Sequence, residues 1–465
     1  MTNKGCDTVD AASFRDPSGF IFSKNGSIYR QINKVYQDDY DLLLSSGLFH
    51  DLVKNNYLIP HKDISLSHKQ TDDAYKIIAP EKIGTISYPY EWSFSQLQDA
   101  ALLTLDIQLF AMEHGMSLKD ATAYNIQFHK GKPIFIDTLS FEEYIVGSPW
   151  VAYRQFCQHF LAPLSLCAYT DIRLSQLLKV YIDGIPLDLV SSLLPRSTLF
   201  NLGLITHIHM HARSQSKYSD NIVSIKEKSL KMSQYALKML LLNLRSTIVK
   251  LKLKVSKTEW GHYYTFTNYS NSSFTKKKKM VSDYIDMVKP KSVWDLGANT
   301  GEFTLLASKK KIDSVAWDID PLAVEYAYQQ VKKTNETHLL PLLLDLTNPS
   351  PGIGWAHKER KSFVGRGPVD LVMALAILHH LSLSNNVPFD QTASFFASLA
   401  ENLIIEFVPK GDSQVDKLLK NREDIFDSYD LKSFENAYQK YFKIVKKDHI
   451  PGTKRTMYLM KRKTV

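Results

Sequence analysis

Val293-Trp-Asp-Leu-Gly-Ala-Asn-Thr-Gly-Glu-Phe303 decides the reading of this chain. A hydrophobic pair runs into Asp295, a tight Gly297 to Gly301 turn follows, and a helical pattern begins at Glu302. That order predicts a strand, a glycine loop and a helix start. Glycine has no Cβ, so such a loop lets a ligand approach the backbone closely. A second strand, Ser314-Val-Ala-Trp-Asp-Ile-Asp320, also ends in acid. An acid there is placed to accept the two hydroxyls of a ribose. The loop is not the dinucleotide GxGxxG pattern, because Asn299 and Glu302 stand where glycines would be needed. Asn tolerates positive φ better than other non-glycine residues, so the turn survives at Asn299.

Working outward, the spacing predicts five strands in this half: Ser292–Leu296, Ser314–Asp318, Leu339–Leu346 ending in Asp345, Val369–Leu375 and Leu403–Phe407. Phe442–Lys447 and Thr456–Met460 suit a closing antiparallel hairpin. Alternating strands and helices predict an α/β fold with a doubly wound, Rossmann-like parallel sheet. Ligands sit at the carboxyl ends of such strands, near the order switch. Asp295, the Gly297–Gly301 loop, Asp318, Asp345 and the segment Ala374–His380 all fall on that rim.

This Asp-x-Gly-x-Asn-x-Gly run resembles the first motif of class I S-adenosylmethionine (SAM) methyltransferases, with Asn299 at the usual middle glycine. The resemblance implies roles. The backbone of Gly297, Ala298, Asn299 and Gly301 would pass the methionine part of SAM. Asp295 would orient the loop and meet the amino group. Asp318 would take the ribose hydroxyls, and Asp345 with Leu346 the adenine edge. The acceptor groups would follow strand four, at Ala376-Ile-Leu-His-His-Leu381. No Asn/Asp-Pro-Pro-Tyr/Phe motif stands there, which argues against the amino-methylating subclass that carries it. His379 and His380 are candidate general bases, since imidazole titrates near neutrality; capping the next helix or packing on adenine is the alternative. Trp260, Tyr263, Tyr264 and Tyr269, ahead of the first strand, are placed to shape the pocket or to pack a core.

The N-terminal half has a different texture. Gly19–Ile32 reads as a hairpin around Asn25-Gly26. Asp38–Asn55 and Leu97–Gly115 read as helices, Pro133–Asp137 as a short buried strand, and 150–212 as mostly helical. Asp120, Asn125 and Asp137 are spaced like the catalytic and metal-binding loops of protein-kinase-like and aminoglycoside-phosphotransferase-like folds, which this α+β region resembles. There the first Asp positions the substrate hydroxyl, while the Asn and second Asp hold magnesium. The departures are Leu118 and Lys119 for His-Arg, Thr138-Leu139 for Phe-Gly, and Arg30 where the strand lysine would stand. The expectation is a degenerate or scaffolding kinase-like domain. His207, His209 and His211 are read as a polar helix face, because no Cys or acid nearby completes a ligand set; no metal site is expected. Over nearly its full length, through Asp16–Phe20, Ser87–Trp92, Trp150–Phe160 and the 293–303 motif, the chain resembles a group of bacterial SAM-dependent methyltransferases related to rhizobial nodulation proteins.

The bulk numbers set bounds. The 465 residues are 44% hydrophobic, enough for more than one core. The expected division is a kinase-like α+β domain over 1–212, a basic helical linker over 213–258 and a methyltransferase domain over 259–465. No apolar run reaches transmembrane length, and the first residues carry no apolar signal core. Three cysteines, Cys6, Cys157 and Cys167, make no disulfide framework, so a cytoplasmic protein is expected. The net charge of +9 is concentrated between 217 and 291, densest at Lys276–Lys279. Such a patch attracts nucleic acid, but a solvated linker is the favoured reading. The function expected is SAM-dependent methyl transfer to an unidentified acceptor, whether small molecule, glycan or macromolecule, with the N-terminal domain aiding acceptor recognition. The rivals are a phosphotransferase with a regulatory SAM-binding domain and a basic RNA-binding methyltransferase.

Overall fold

The structure, a computed structural model, describes residues 8–212, 232–253, 271–420 and 425–464. The chain folds as two compact units. The first comprises Met1–Val255 with Ile353–Arg360; the second comprises Ser256–Gly352 with Lys361–Val465.

The first unit is α+β. A five-stranded antiparallel sheet runs in the order β1 (Thr8–Val9), β2 (Gly19–Lys24), β3 (Ser27–Asn33), β5 (Ala74–Pro80), β4 (His61–Ile64). The β2–β3 hairpin turns on Asn25 and Gly26, both left-handed. The helix expected over Asp38–Asn55 is two helices, α1 (Gln37–Ser45) and α2 (Leu48–Lys54). Gly47 separates them at φ +82, a backbone conformation that glycine adopts without the Cβ penalty. The long helix α3 (Phe94–Glu113) begins at a capping box in which Ser93 and Gln96 satisfy each other's backbone N–H. Two short antiparallel ladders follow, β6 (Met116–Leu118) with β9 (Phe141–Glu143) and, between them in the chain, the hairpin of β7 (Ile126–His129) with β8 (Lys132–Phe135). The predicted strand at 133–137 therefore stops at Phe135. Most of 150–212 is helical, including α4 (Ala162–Tyr169) and α5 (Leu187–Leu193).

The stretch expected as a linker contains a packed helix, α6 (Gln234–Lys250). Leu237, Leu241, Leu244 and Ile248 fall on one face at helical spacing and are buried, and α6 packs against α3. Gln98 on α3 donates to the backbone carbonyls of Ile248 and Leu251, closing the end of α6. The rest of that stretch lies largely outside the described residues.

The second unit is a seven-stranded sheet in the order β12 (Leu339–Leu343), β11 (Asp313–Asp318), β10 (Ser292–Leu296), β13 (Val369–Ala374), β14 (Ala400–Phe407), β16 (Thr456–Arg462), β15 (Phe442–His449). The first five strands are parallel, and β15 and β16 close the edge as an antiparallel hairpin. The order reverses at β10, flanked by β11 and β13, which makes the sheet doubly wound. Helix α7 (Asn271–Val288) precedes β10, and its Val281, Tyr284 and Ile285 join Val293, Met373 and Ile404 in the core on one face of the sheet. β12 ends at Leu343, so Asp345 lies two residues beyond the strand rather than at its tip. Among the described residues no helix is long and apolar enough to cross a membrane.

Candidate functional site

The carboxyl ends of β10, β11 and β12 open onto one cavity of about 250 Å³. Asp295, Gly297, Ala298, Asn299, Asp318, Asp345, Leu346 and His380 all line it. Among the described residues Gly301 and His379 are not in that lining.

Local chemistry explains the rim. At the end of β10, Gly297 and Ala298 donate their N–H to the Trp317 carbonyl, both at 2.9 Å, so the chain must turn sharply away. Gly297 has φ +76, and a Cβ there would sit 3.0 Å from Ile377 Cδ1. Any side chain would fill the gap between the loop and the segment after β13. Asn299 takes φ +52, as the sequence required of it. Its N–H donates to Asp318 Oδ2 at 2.7 Å, and the Asp320 N–H donates to Asp318 Oδ1 at 2.9 Å. One carboxylate thus locks the glycine loop to the end of β11. Asp295 accepts from Thr304 Oγ1 at 2.6 Å. Asp345 accepts from the backbone N–H and hydroxyl of Thr347.

These acids are held at a cost. Burial pushes Asp295 up to about 7 against the pull of Thr304 and Lys277. Burial pushes Asp318 up to about 6, although the Asp320 and Asn299 N–H groups oppose it. Ionised carboxylates stripped of water are disfavoured unless strongly partnered. Perturbed carboxylates converging in a cleft make it the candidate functional centre.

After β13, Ala376 takes φ +53 and the chain passes Ile377 before a wide helical turn at His380–Ser384. The two candidate histidines part company here. His380 faces the cavity and its pKa is lowered by burial, so its imidazole is neutral at pH 7. His379 is 1% exposed, and burial holds its pKa well below the usual range. Its Nδ1 has no hydrogen-bond partner among the described residues.

Phe303 from the motif and Leu375, Ala376, Ile377 and Leu381 from the segment after β13 also line the cavity, and Phe274, Lys277, Ile319, Leu344, Thr347 and Asn385 complete the lining without a sequence expectation of a site role. By composition Lys277 belongs to a solvated run of four lysines, Lys276–Lys279. In the structure it is 2% exposed, and its Nζ lies 2.6 Å from Glu406 Oε2. Arg455 reaches the other oxygen of Glu406 at 3.3 Å and pairs with Asp412 at 2.8 Å. Lys278 pairs with Glu302. The basic run is therefore not one solvated patch. Trp260, Tyr263, Tyr264 and Tyr269 lie outside the described residues.

In the first unit, Asp120, Asn125 and Asp137 gather around one turn. Asp120 accepts from the Thr122 N–H at 3.0 Å, and burial raises its pKa, with the charge of Asp137 adding to the effect. Asn125 donates to Ser140 Oγ at 3.2 Å. Asp137 is N-cap to the turn Thr138–Ser140, accepting from the Leu139 N–H and Ser140 Oγ, and it is ion-paired with Arg30. Burial alone would raise Asp137, but Arg30 and these hydrogen bonds hold it below its ordinary value. The guanidinium of Arg30 thus supplies the cation at this carboxylate from within the chain. His207 is buried between the Tyr153 hydroxyl at 2.6 Å and Asn243 Oδ1 at 2.9 Å, and His209 between Ser191 and Thr198. They are core hydrogen-bonding groups rather than a polar face. Among the described residues no three His, Cys, Asp or Glu side chains are grouped to hold a metal.

No protein-family model matches the chain. Among solved structures, magnesium protoporphyrin IX methyltransferase (ChlM) from Synechocystis PCC 6803 with bound SAH aligns at TM-score 0.31 and 17% identity, over 44% of this chain and 93% of that one. The N-methyltransferase NodS from Bradyrhizobium japonicum WM9 aligns at TM-score 0.30 and 12% identity, over 42% and 99%. The bifunctional kinase-methyltransferase WbdD aligns at TM-score 0.30 and 15% identity, over 46% and 45%. Scores this low carry no weight for fold or function. The nodulation protein NoeA of Rhizobium meliloti (strain 1021) is 35% identical over 458 residues, spanning 97% of this chain and 96% of NoeA. Identity at that level along essentially the whole length shows that the chain belongs to the family of nodulation protein NoeA.

Proposed function

We propose that the second unit is a SAM-dependent methyltransferase domain, with its donor held in the cavity at the ends of β10, β11 and β12. One observation carries the reading. Asp295 and the Gly297–Asn299 turn at the end of β10, Asp318 at the end of β11 and Asp345 in the loop after β12 converge on one cavity beside the order switch. The donor supplies a sulfonium-activated methyl group, so the chemistry asks mainly for alignment and exclusion of water.

The residues present suit that ligand. The closely packed Gly297 turn lets a chain lie against backbone. Asp318, fixed by two N–H groups, keeps lone pairs directed at a diol. Asp345 and Leu346 would take the adenine edge, between the apolar side chains of Ile319 and Leu344. Asp295, in reach of Lys277's charge, stands at the amino-acid end. His380 is the proposed general base; neutral at pH 7, it can take a proton from an acceptor hydroxyl or amine. The acceptor enters by the Leu375–Asn385 segment, and the first unit is proposed to help recognise it. The internal Arg30–Asp137 pair supports a recognition role over metal-assisted phosphoryl transfer.

The test supplies purified full-length protein and methyl-labelled SAM to an extract of cells lacking the protein. Label appearing in one acceptor, and lost with Asp318→Ala, is the expected result. No transferred label, together with no binding of S-adenosylhomocysteine, would falsify the proposal.

A further inference from the structure

Helix α6 has two apolar faces. Leu237, Leu241, Leu244 and Ile248 are buried, while Tyr235, Met239, Leu242 and Val249 recur at helical spacing on the opposite face and are exposed. A second helical stretch, 202–212, lies alongside. Its His207 Nε2 is 2.9 Å from Asn243 Oδ1, and a Cβ on Gly203 would sit 2.1 Å from Thr247 Oγ1. Contacts that pair 207 with 243 and 203 with 247 make the two helices antiparallel. In antiparallel helices the residue one before each contact comes out on the same side of the pair. Those residues are Leu202 and Thr206 on one helix and Leu242 and Ser246 on the other, and all four are exposed. The two open faces therefore form one surface, which Met210 extends; Phe200, at the entry to the 202–212 helix, is 89% exposed. A contiguous apolar surface of this kind marks an interaction site.

The charges around this surface choose the partner. Neither 202–212 nor Gln234–Lys250 contains an Asp or Glu, and 213–258 hold 11 Lys/Arg against 2 Asp/Glu. Glu113 and Asp106 of α3 pair with Lys238 and Arg245, and Lys250 and Lys252 stand exposed at the far end of α6. A second copy laid on this face would set cations against cations. An anionic bilayer matches both features, since its headgroups meet lysines while apolar side chains enter the boundary of the acyl region. We propose that the first unit docks on an anionic lipid bilayer through this two-helix face. Tyr235, Met239, Leu242, Val249, Leu202 and Met210 lie at the acyl boundary, and Lys250 and Lys252 on the headgroups. The proposal is independent of the donor site in the second unit.

Co-sedimentation of the full-length protein with vesicles tests this, using phosphatidylcholine alone and phosphatidylcholine mixed with phosphatidylglycerol. Wild type is expected to bind the mixed vesicles, to leave the neutral ones, and to be released as salt rises. Met239→Ser with Leu242→Ser is expected to bind about 10- to 100-fold more weakly. Lys250→Gln with Lys252→Gln is expected to bind about 10- to 30-fold more weakly. All four positions are exposed, so both variants are expected to unfold thermally with wild type. Wild type that ignores the mixed vesicles overturns the assignment. So does vesicle binding that the serine pair leaves intact, since the contact then lies elsewhere in the basic sequence. A wild-type dimer that the serine pair breaks, without vesicle binding, overturns it in favour of a second copy. RNA that displaces the vesicles, and whose binding the glutamine pair weakens while the serine pair does not, overturns it in favour of a nucleic-acid surface.

Discussion

Replacing Asp318 with Asn should separate the cost of this carboxylate from its structural use. In the ligand-free protein the group is held near 6, against an ordinary value near 4. At neutral pH that corresponds to about 3 kcal/mol of stability surrendered to keep a buried charge. The sign follows from proton binding. The folded state holds this proton more tightly than the unfolded chain does. The penalty is therefore absent below about pH 4, grows as pH rises, and is complete above about pH 6. Asn carries no charge at any of these values, so it escapes the penalty. It retains one acceptor and loses the second, a cost of about 1–3 kcal/mol for the N–H left facing an amide. The two effects nearly cancel at pH 8. At pH 4.5 about 1 kcal/mol of the penalty survives beside the loss, so wild type should gain about 2 kcal/mol on the variant between the two conditions. Hydrogen exchange read on peptides covering β10 and β11, comparing the proteins at equal pH, gives the local opening free energy. A wild-type advantage that does not change with pH, or that shrinks on acidification, would refute the reasoning.

Gly297→Ala should destabilise the second unit by about 1–2 kcal/mol and weaken binding of S-adenosylhomocysteine, because it forces a Cβ into a left-handed residue packed on Ile377; thermal unfolding and calorimetry read the two effects. His380→Ala should lower kcat by about 100- to 10 000-fold with donor affinity unchanged, whereas His379→Ala should act on stability, since His379 is buried outside the cavity lining. Arg30→Ala should cost up to about 3 kcal/mol by leaving the partly buried Asp137 carboxylate without its cation, and Arg30→Met with Asp137→Leu should cost less than the single change; denaturant titration decides between the orders.

Much of the second unit was legible because its strands are short apolar runs that stop at acids. Val293–Leu296 and Ser314–Asp318 read as strands, and positive φ at Asn299 followed from the residue type. Asp345 was placed at a strand tip because Leu339–Leu344 is continuously apolar, and periodicity gives no stop signal inside such a run. Lys277 was missed for a different reason. The run Lys276–Lys279 reads as charge, while Phe274, Lys277, Val281 and Tyr284 read as one helix face. Helical spacing outweighs composition there, and the signal was available in Phe274 and Val281. The same spacing in Leu237, Leu241, Leu244 and Ile248 marks α6 as packed rather than linking. The break at Gly47 was readable as a glycine inside a helical pattern, a position that costs about 1 kcal/mol in a continuous helix. That Ile353–Arg360 folds with the first unit had no sequence signal, since it rests on contacts such as Arg15 with Glu359 and Arg360 over the Tyr124 ring. The Arg30–Asp137 pair was likewise hidden, as 107 residues separate its partners.

The most direct measurement is equilibrium binding of S-adenosylhomocysteine to the full-length protein, alone and in competition with SAM, in wild type and Asp318→Ala. The account predicts saturable binding to wild type that SAM displaces and that Asp318→Ala abolishes. Wild type that gives no binding heat, or Asp318→Ala that binds as wild type does, would contradict it.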